Sequence, residues 1–100
     1  MELTIKGDSL RLRLSQEEMR TLTELGEAAD RVSFPGGSAL KYRLRVDNNI
    51  RHISASYDEN LLDIRVPQAL SERWCASYLA TLSGSQPLAA GELHIVLEKD

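Results

Sequence analysis

Several residue types that would narrow the function are scarce in this 100-residue chain. It has a single cysteine, Cys75, so no internal disulfide can form, and no Cys/His spacing typical of a zinc site accompanies it. Proline occurs 3 times, and aromatic side chains make up 5% of the residues. We therefore expect a core that rests mainly on leucine, isoleucine and valine, without disulfide or metal cross-links.

Long apolar runs and an excess of positive charge are also missing. No segment approaches the roughly 20 apolar residues of a membrane span, and residues 1–6 lack the apolar stretch of a signal peptide. The formal net charge is -3, which argues against wholesale coating of nucleic acid or of an anionic membrane. The sequence thus predicts a cytoplasmic protein with no membrane partner, and nucleic-acid binding is the least favoured class.

What is present is the composition of one ordinary folded domain. Hydrophobic residues make up 42% of the chain and charged residues 27%, which is typical of a globular protein rather than a disordered one. The length suits a single domain spanning residues 1–100. No internal repeat or low-complexity segment is visible in the sequence.

The first third of the chain predicts two strands and a helix. Apolar and polar residues alternate over 3–5 and 10–14, as in strands with one buried face, and Gly7 lies either in a hairpin turn or in a bulge between them. Ser15 and Glu18 have the spacing of a capping box, so a helix should begin there. Gly26 suits the end of that helix.

The remaining chain predicts more strands and a second helix. Residues 28–66 indicate four strands joined by short turns, which favours antiparallel pairing of neighbours. Pro67 opens a second helix, whose apolar stripe continues to Leu82, although residues 78–82 would also suit a strand. A last strand covers 93–97. The predicted fold class is α+β: an antiparallel sheet, with a central four-strand meander plus N- and C-terminal strands, and two helices.

The most distinctive chemical feature is a set of basic residues on the polar faces of the predicted strands. The candidate anion-binding residues are Arg11, Arg13, Lys41, Arg43 and Arg45. Arg51 and Arg65 would extend this set if they lay on the same face. Guanidinium groups match the oxygens of phosphate and carboxylate, so the pattern is typical of an anion-binding surface. The alternative is cross-strand pairing with acidic residues on a solvated face, which only strand register can decide.

Other chemistry-bearing residues form no recognisable motif. His52 and His94 would make a proton-transfer pair or metal ligands only if their strands were neighbours, and two polar strand positions also explain them. Cys75 lies on a predicted helix face without a basic neighbour, which favours a buried structural thiol. The sequence therefore gives no catalytic residue, no metal ligand and no cofactor site.

Four segments resemble a known family. Residues 5–15 read IKGDSLRLRLS, residues 53–57 read ISASY, residues 64–67 read IRVP and residues 93–100 read LHIVLEKD. These segments are similar to a family of small uncharacterised bacterial proteins, a domain of unknown function, that opens with an IKG-N/D-S-L/I-R-L-R-L-S/T signature. The resemblance implies a bacterial protein and supplies no catalytic residues. Members typically continue beyond the equivalent of Asp100 with a Phe-x-Cys-Leu stretch, so we expect either a shorter member or a trimmed tail.

Two hypotheses about function follow. The first is a non-enzymatic binding or protein-interaction module, in the form of a homodimer or with another protein partner, because charged stripes are present while no acid–base pair is. The second is a protein that binds a small anion or a phosphate-bearing ligand, enzymatic or not, through the basic residues named above.

Overall fold

The computed structural model describes residues 1–100, which form eight strands and two helices. The first half of the chain contains β1 (Glu2–Ile5), β2 (Ser9–Leu14), α1 (Gln16–Leu25), β3 (Glu27–Ser33) and β4 (Ala39–Asp47). The second half contains β5 (Ser54–Asp58), β6 (Leu61–Pro67), α2 (Gln68–Ala76), β7 (Thr81–Pro87) and β8 (Glu92–Lys99). The prediction of an α+β fold with two helices is confirmed.

The strands form two separate mixed sheets. Sheet one has the order β1-β2-β8-β7, and sheet two has the order β3-β4-β6-β5. Each sheet consists of two antiparallel hairpins whose inner strands pair in parallel, with Leu12 beside Leu97 in sheet one and Leu44 beside Ile64 in sheet two. The prediction of one antiparallel sheet with a central meander is therefore wrong in its pairing.

The connection between β4 and β5 explains that error. All four strands predicted over residues 28–66 exist, but β4 pairs with β6 and not with its successor β5. Residues 48–53 pass over the end of β6 to reach β5 on its far side. Neighbouring strands lie about 4.8 Å apart, so the link has to span roughly 10 Å, which six residues do easily.

The two halves of the chain repeat one ββαββ unit that the sequence does not reveal. In chain order and in pairing, β1-β2-α1-β3-β4 corresponds to β5-β6-α2-β7-β8. Leu12 and Ile64 hold equivalent places on the inner strands, and Leu22 and Trp74 do so on the helices; all four are almost fully buried. Each sheet takes one hairpin from each half, so the halves are interlocked.

One apolar core joins the two sheets and the helices. It consists of 15 buried residues, to which inner strands of both sheets, Leu22 of α1 and Trp74 of α2 contribute. The alternation predicted for β2, β4 and β6 directs their apolar side chains into this core and their charged side chains outward. The edge strands β5 and β7 of the two sheets are also linked by a hydrogen bond, because the backbone N–H of Ala55 donates to Gln86 Oε1 at 2.8 Å.

The helices differ in how well the sequence predicted them. The Ser15–Glu18 capping box is present, and Gly26 ends α1 with a left-handed φ of 78°, as predicted. The second helix ends at Ala76, however, and the apolar stripe that continues to Leu82 belongs partly to β7. Likewise, Gly7 lies in a hairpin turn between β1 and β2 and not in a bulge.

Candidate functional site

The outer face of sheet two places three arginines around one carboxylate. Arg43 and Arg45 lie on β4 at alternate positions, so both point away from the core. The parallel register sets Arg43 beside Asp63 and Arg45 beside Arg65 on β6. We call Arg43, Arg45, Arg65 and Asp63 the arginine cluster. Arg65 is the member that sequence analysis included only conditionally.

Asp63 holds the cluster together through two charge-assisted hydrogen bonds. Arg43 Nε donates to Asp63 Oδ1 at 2.9 Å, and Arg45 Nη2 donates to Asp63 Oδ2 at 3.2 Å. Arg65 Nε lies 3.7 Å from Oδ2, close enough for an ion pair but too far for a hydrogen bond. Asp63 is only 8% exposed although it lies on the outer face. The surrounding guanidinium groups cover it.

The charges of the cluster shift the ionisation of its members. Burial alone would raise the pKa of Asp63, but the hydrogen bonds from Arg43 and Arg45, together with their positive charge, hold that pKa below its usual value. The hydrogen bond to Asp63 likewise raises the pKa of Arg43 despite partial burial. Asp63 and Arg43 are therefore both charged at neutral pH.

Two donors in the cluster lack acceptors. Arg45 Nε and Arg65 Nε are buried and have no hydrogen-bond partner. Buried polar groups are nearly always paired, and an unpaired donor costs about 1–3 kcal/mol. Both N–H groups belong to guanidiniums that lie side by side on adjacent parallel strands. Chemically, this arrangement offers donors to an anion that would bind over Asp63.

Further charges surround the cluster. Glu27 Oε2 lies 3.5 Å from Arg43 Nη1, and Asp47 Oδ2 lies 4.0 Å from Arg65 Nη1. Lys41 lies on the same face of β4 and makes no ion pair within 4.0 Å. It therefore adds an unneutralised positive charge beside the cluster.

The other two candidate residues lie on a different sheet. Arg11 and Arg13 point outward from β2 of sheet one, where Arg11 contacts Glu98. Arg13 lies 3.1 Å from an Asp100 carboxylate oxygen and 3.9 Å from one of Glu98. The core separates the two sheets, so the structure brings Lys41, Arg43 and Arg45 together with Arg65 but does not join Arg11 and Arg13 to them.

The histidines and the cysteine do not converge on a site. His52 is exposed in the link 48–53, not on a strand as expected, and His94 lies on β8 beside Ser9 and Ser85. No group of three or more His, Cys, Asp or Glu side chains is arranged to hold a metal ion. Cys75 is partly exposed, whereas the sequence predicted burial.

Cys75 borders a cleft that sequence analysis missed. The cleft has a volume of about 500 Å³ and lies between α1, α2 and the end of β4. Most of its lining is polar and includes Arg45, Asp47, Asn48, Asn49, Gln68 and Glu72. These residues come from distant parts of the chain. Only the spacing of Gln68 and Glu72, which places both on one face of α2, gives a signal in the sequence.

The fold and the cluster define a class: a two-sheet α+β protein with an arginine-rich outer face. The chain belongs to a family of unknown function (DUF7009), whose model matches residues 1–100. This agrees with the resemblance to an uncharacterised family noted above. No curated protein and no solved structure matches the chain. Neither α1 nor α2 has the length and apolar character of a membrane-spanning helix.

Proposed function

We propose that the protein binds a small anion, a phosphate or carboxylate group, at the arginine cluster on sheet two. The observation that carries the proposal is the pair of buried, unpartnered donors Arg45 Nε and Arg65 Nε beside Asp63. Both atoms are buried, so the two guanidinium groups have to rotate outward for an oxyanion to accept from them, and binding then removes the cost of leaving them unpaired. Guanidinium groups are the usual partners of such oxygens because their N–H donors match them in pairs.

The role of Asp63 in this proposal is to organise the arginines before the anion arrives. Three guanidiniums on adjacent strands repel one another, and the central carboxylate offsets that repulsion. Its hydrogen bonds fix Arg43 and Arg45 in place, which lowers the entropy cost of binding. Lys41 adds long-range attraction for an anion.

A thermal-shift titration tests the proposal. A ligand that binds only the folded state raises the melting temperature, so phosphate should stabilise the protein beyond sodium chloride of equal ionic strength. The variant Arg65→Gln should weaken phosphate binding about tenfold, because it removes one charge-assisted contact. Arg65 is the suitable residue to change, since Asp63 keeps both hydrogen bonds without it.

Arg13→Gln is the matched control. It removes the same charge from the outer face of sheet one, where Asp100, Glu98 and Glu2 already surround the arginine. Phosphate binding should stay at the wild-type level in this variant. The absence of any phosphate effect, or an equal loss in both variants, would contradict the proposal.

A homodimer or another protein partner stays a separate prediction. Light scattering with mass detection at micromolar concentrations tests the dimer, and a monomer throughout would count against it. The anion proposal does not depend on the outcome, because every residue of the cluster comes from one chain.

A further inference from the structure

We infer that the ligand of the arginine cluster also carries a primary ammonium group, which the adjacent cleft binds through Glu72 and Asp47. The inference rests on the proposed anion site and extends it. Arg45 connects the two places, because it donates to Asp63 on the sheet face and also lines the cleft. An anion held by Arg45 would therefore contact a residue that also lines the cleft.

The cleft has charges of both signs, in an unequal ratio. Arg45 is the only basic residue of its lining, whereas Asp47 and Glu72 both contribute carboxylates, of which Asp47 also lies 4.0 Å from Arg65. Each carboxylate already accepts one hydrogen bond and can accept more. The Gln68 side-chain Nε2 donates to Glu72 Oε1 at 3.1 Å, and the backbone N–H of Asn49 donates to Asp47 Oδ1 at 2.8 Å. Since a carboxylate accepts several hydrogen bonds, each of them keeps capacity for an ammonium donor.

The size of the cleft limits the ligand to a small molecule. A volume of about 500 Å³ is within the range of sites for small ligands. Its polar lining disfavours an apolar ligand, and its excess of negative charge disfavours a molecule that is only anionic. An amino acid or an amine-bearing phosphate monoester meets both requirements: its anionic end lies at Arg45 and its ammonium at Glu72.

Matched pairs of probes separate the two ends of the ligand. Isothermal titration calorimetry would compare phosphoethanolamine with ethyl phosphate, and β-alanine with propionate. We expect at least one amine-bearing probe to bind about tenfold more tightly than its amine-free partner, as one additional charge-assisted contact provides. Glu72→Gln should remove that advantage while binding of the amine-free probe does not weaken.

Glu24→Gln is the control, because Glu24 is an exposed residue of α1 outside the cleft. It should leave the preference for the amine unchanged. If ethyl phosphate binds but neither amine improves affinity, or if both Gln variants lose the preference equally, the inference is overturned and the anion proposal stands. If no probe binds at all, both are overturned.

Discussion

Asp63 is the residue on which the stability of the arginine cluster depends. It is the carboxylate that accepts hydrogen bonds from two arginines, and it lies 3.7 Å from the third. Removing it would leave like charges side by side on adjacent strands without their central counter-charge. Because the arginine side chains stay about one-third exposed, solvent screens part of that repulsion and the cost is smaller than for a fully buried pair.

Asp63→Asn should therefore lower the free energy of unfolding by about 2 kcal/mol, as measured by urea denaturation at neutral pH. Asp58→Asn is the control, because Asp58 lies exposed on β5 of the same sheet without an ion pair. It should change the free energy by less than about 0.5 kcal/mol. Equal effects of the two substitutions would show that Asp63 has no special role.

Asp63 should also determine how the free energy of unfolding changes at acid pH. The folded-state pKa of Asp63 is lowered from 3.8. Its contribution is thus complete above the unfolded-state pKa and is lost as pH falls through the folded-state value. The wild-type protein should lose its advantage over Asp63→Asn as the pH falls below about 4. An advantage that persists unchanged down to pH 2 would contradict the assignment.

At the scale of elements, β7 is the strand that the sequence patterns do not predict. Residues 83–87 contain two serines, a glycine and a proline, a composition typical of a turn, yet they pair along β8. Gly84 is favoured by packing and not by φ, since a Cβ at this position would lie 3.2 Å from the Ile53 Cβ. Glycine thus permits close approach of β7 to the buried Ile53.

Gly84→Ala should destabilise the protein by about 1 kcal/mol, because the added methyl group overpacks against Ile53. Ser83→Ala is the matched control, since Ser83 lies on the same strand with its side chain exposed. Thermal and urea denaturation of both variants would measure the difference. A Gly84→Ala variant as stable as the wild type would show that Ile53 moves aside without cost.

The elements also show what the sequence could predict. Helix α1, with Ser15 and Gly26 at its ends, and the outward direction of Arg43 and Arg45 follow from local patterns. The pairing of β4 with β6 does not, because it depends on how far a six-residue link reaches and on which apolar faces meet. Predicting the arginine cluster would therefore have required the strand register, which sets Asp63 beside Arg43.

The whole molecule is an interlocked pair of ββαββ units. The positions of its two chain ends allow this description to be tested. In sheet one, β1 and β8 flank β2, just as β5 and β4 flank β6 in sheet two. Residues 48–53 connect β4 to β5 across β6. The equivalent connection in sheet one would join Asp100, whose amide donates to the Leu14 carbonyl, to Met1 next to the first residue of β1.

A circular permutant should therefore fold if about six glycine and serine residues join Asp100 to Met1 and the chain is opened within 48–53. Its circular dichroism spectrum and cooperative melting should match those of the wild type, with a modestly lower melting temperature. A permutant with a single-residue linker is the control. Asp100, the single linker residue and Met1 must then cover the strand separation that six residues cover in sheet two, so this variant should be less stable than the permutant with the longer linker.

The most direct test of the anion site is NMR observation of the arginine Nε–H groups during a phosphate titration. The account predicts that the signals of Arg45 and Arg65, whose Nε groups lack partners, shift in a saturable manner. The signals of Arg11 and Arg13 on sheet one should shift little. If Arg45 and Arg65 do not respond, or if all four arginines respond equally, the arginine cluster is not the anion-binding site.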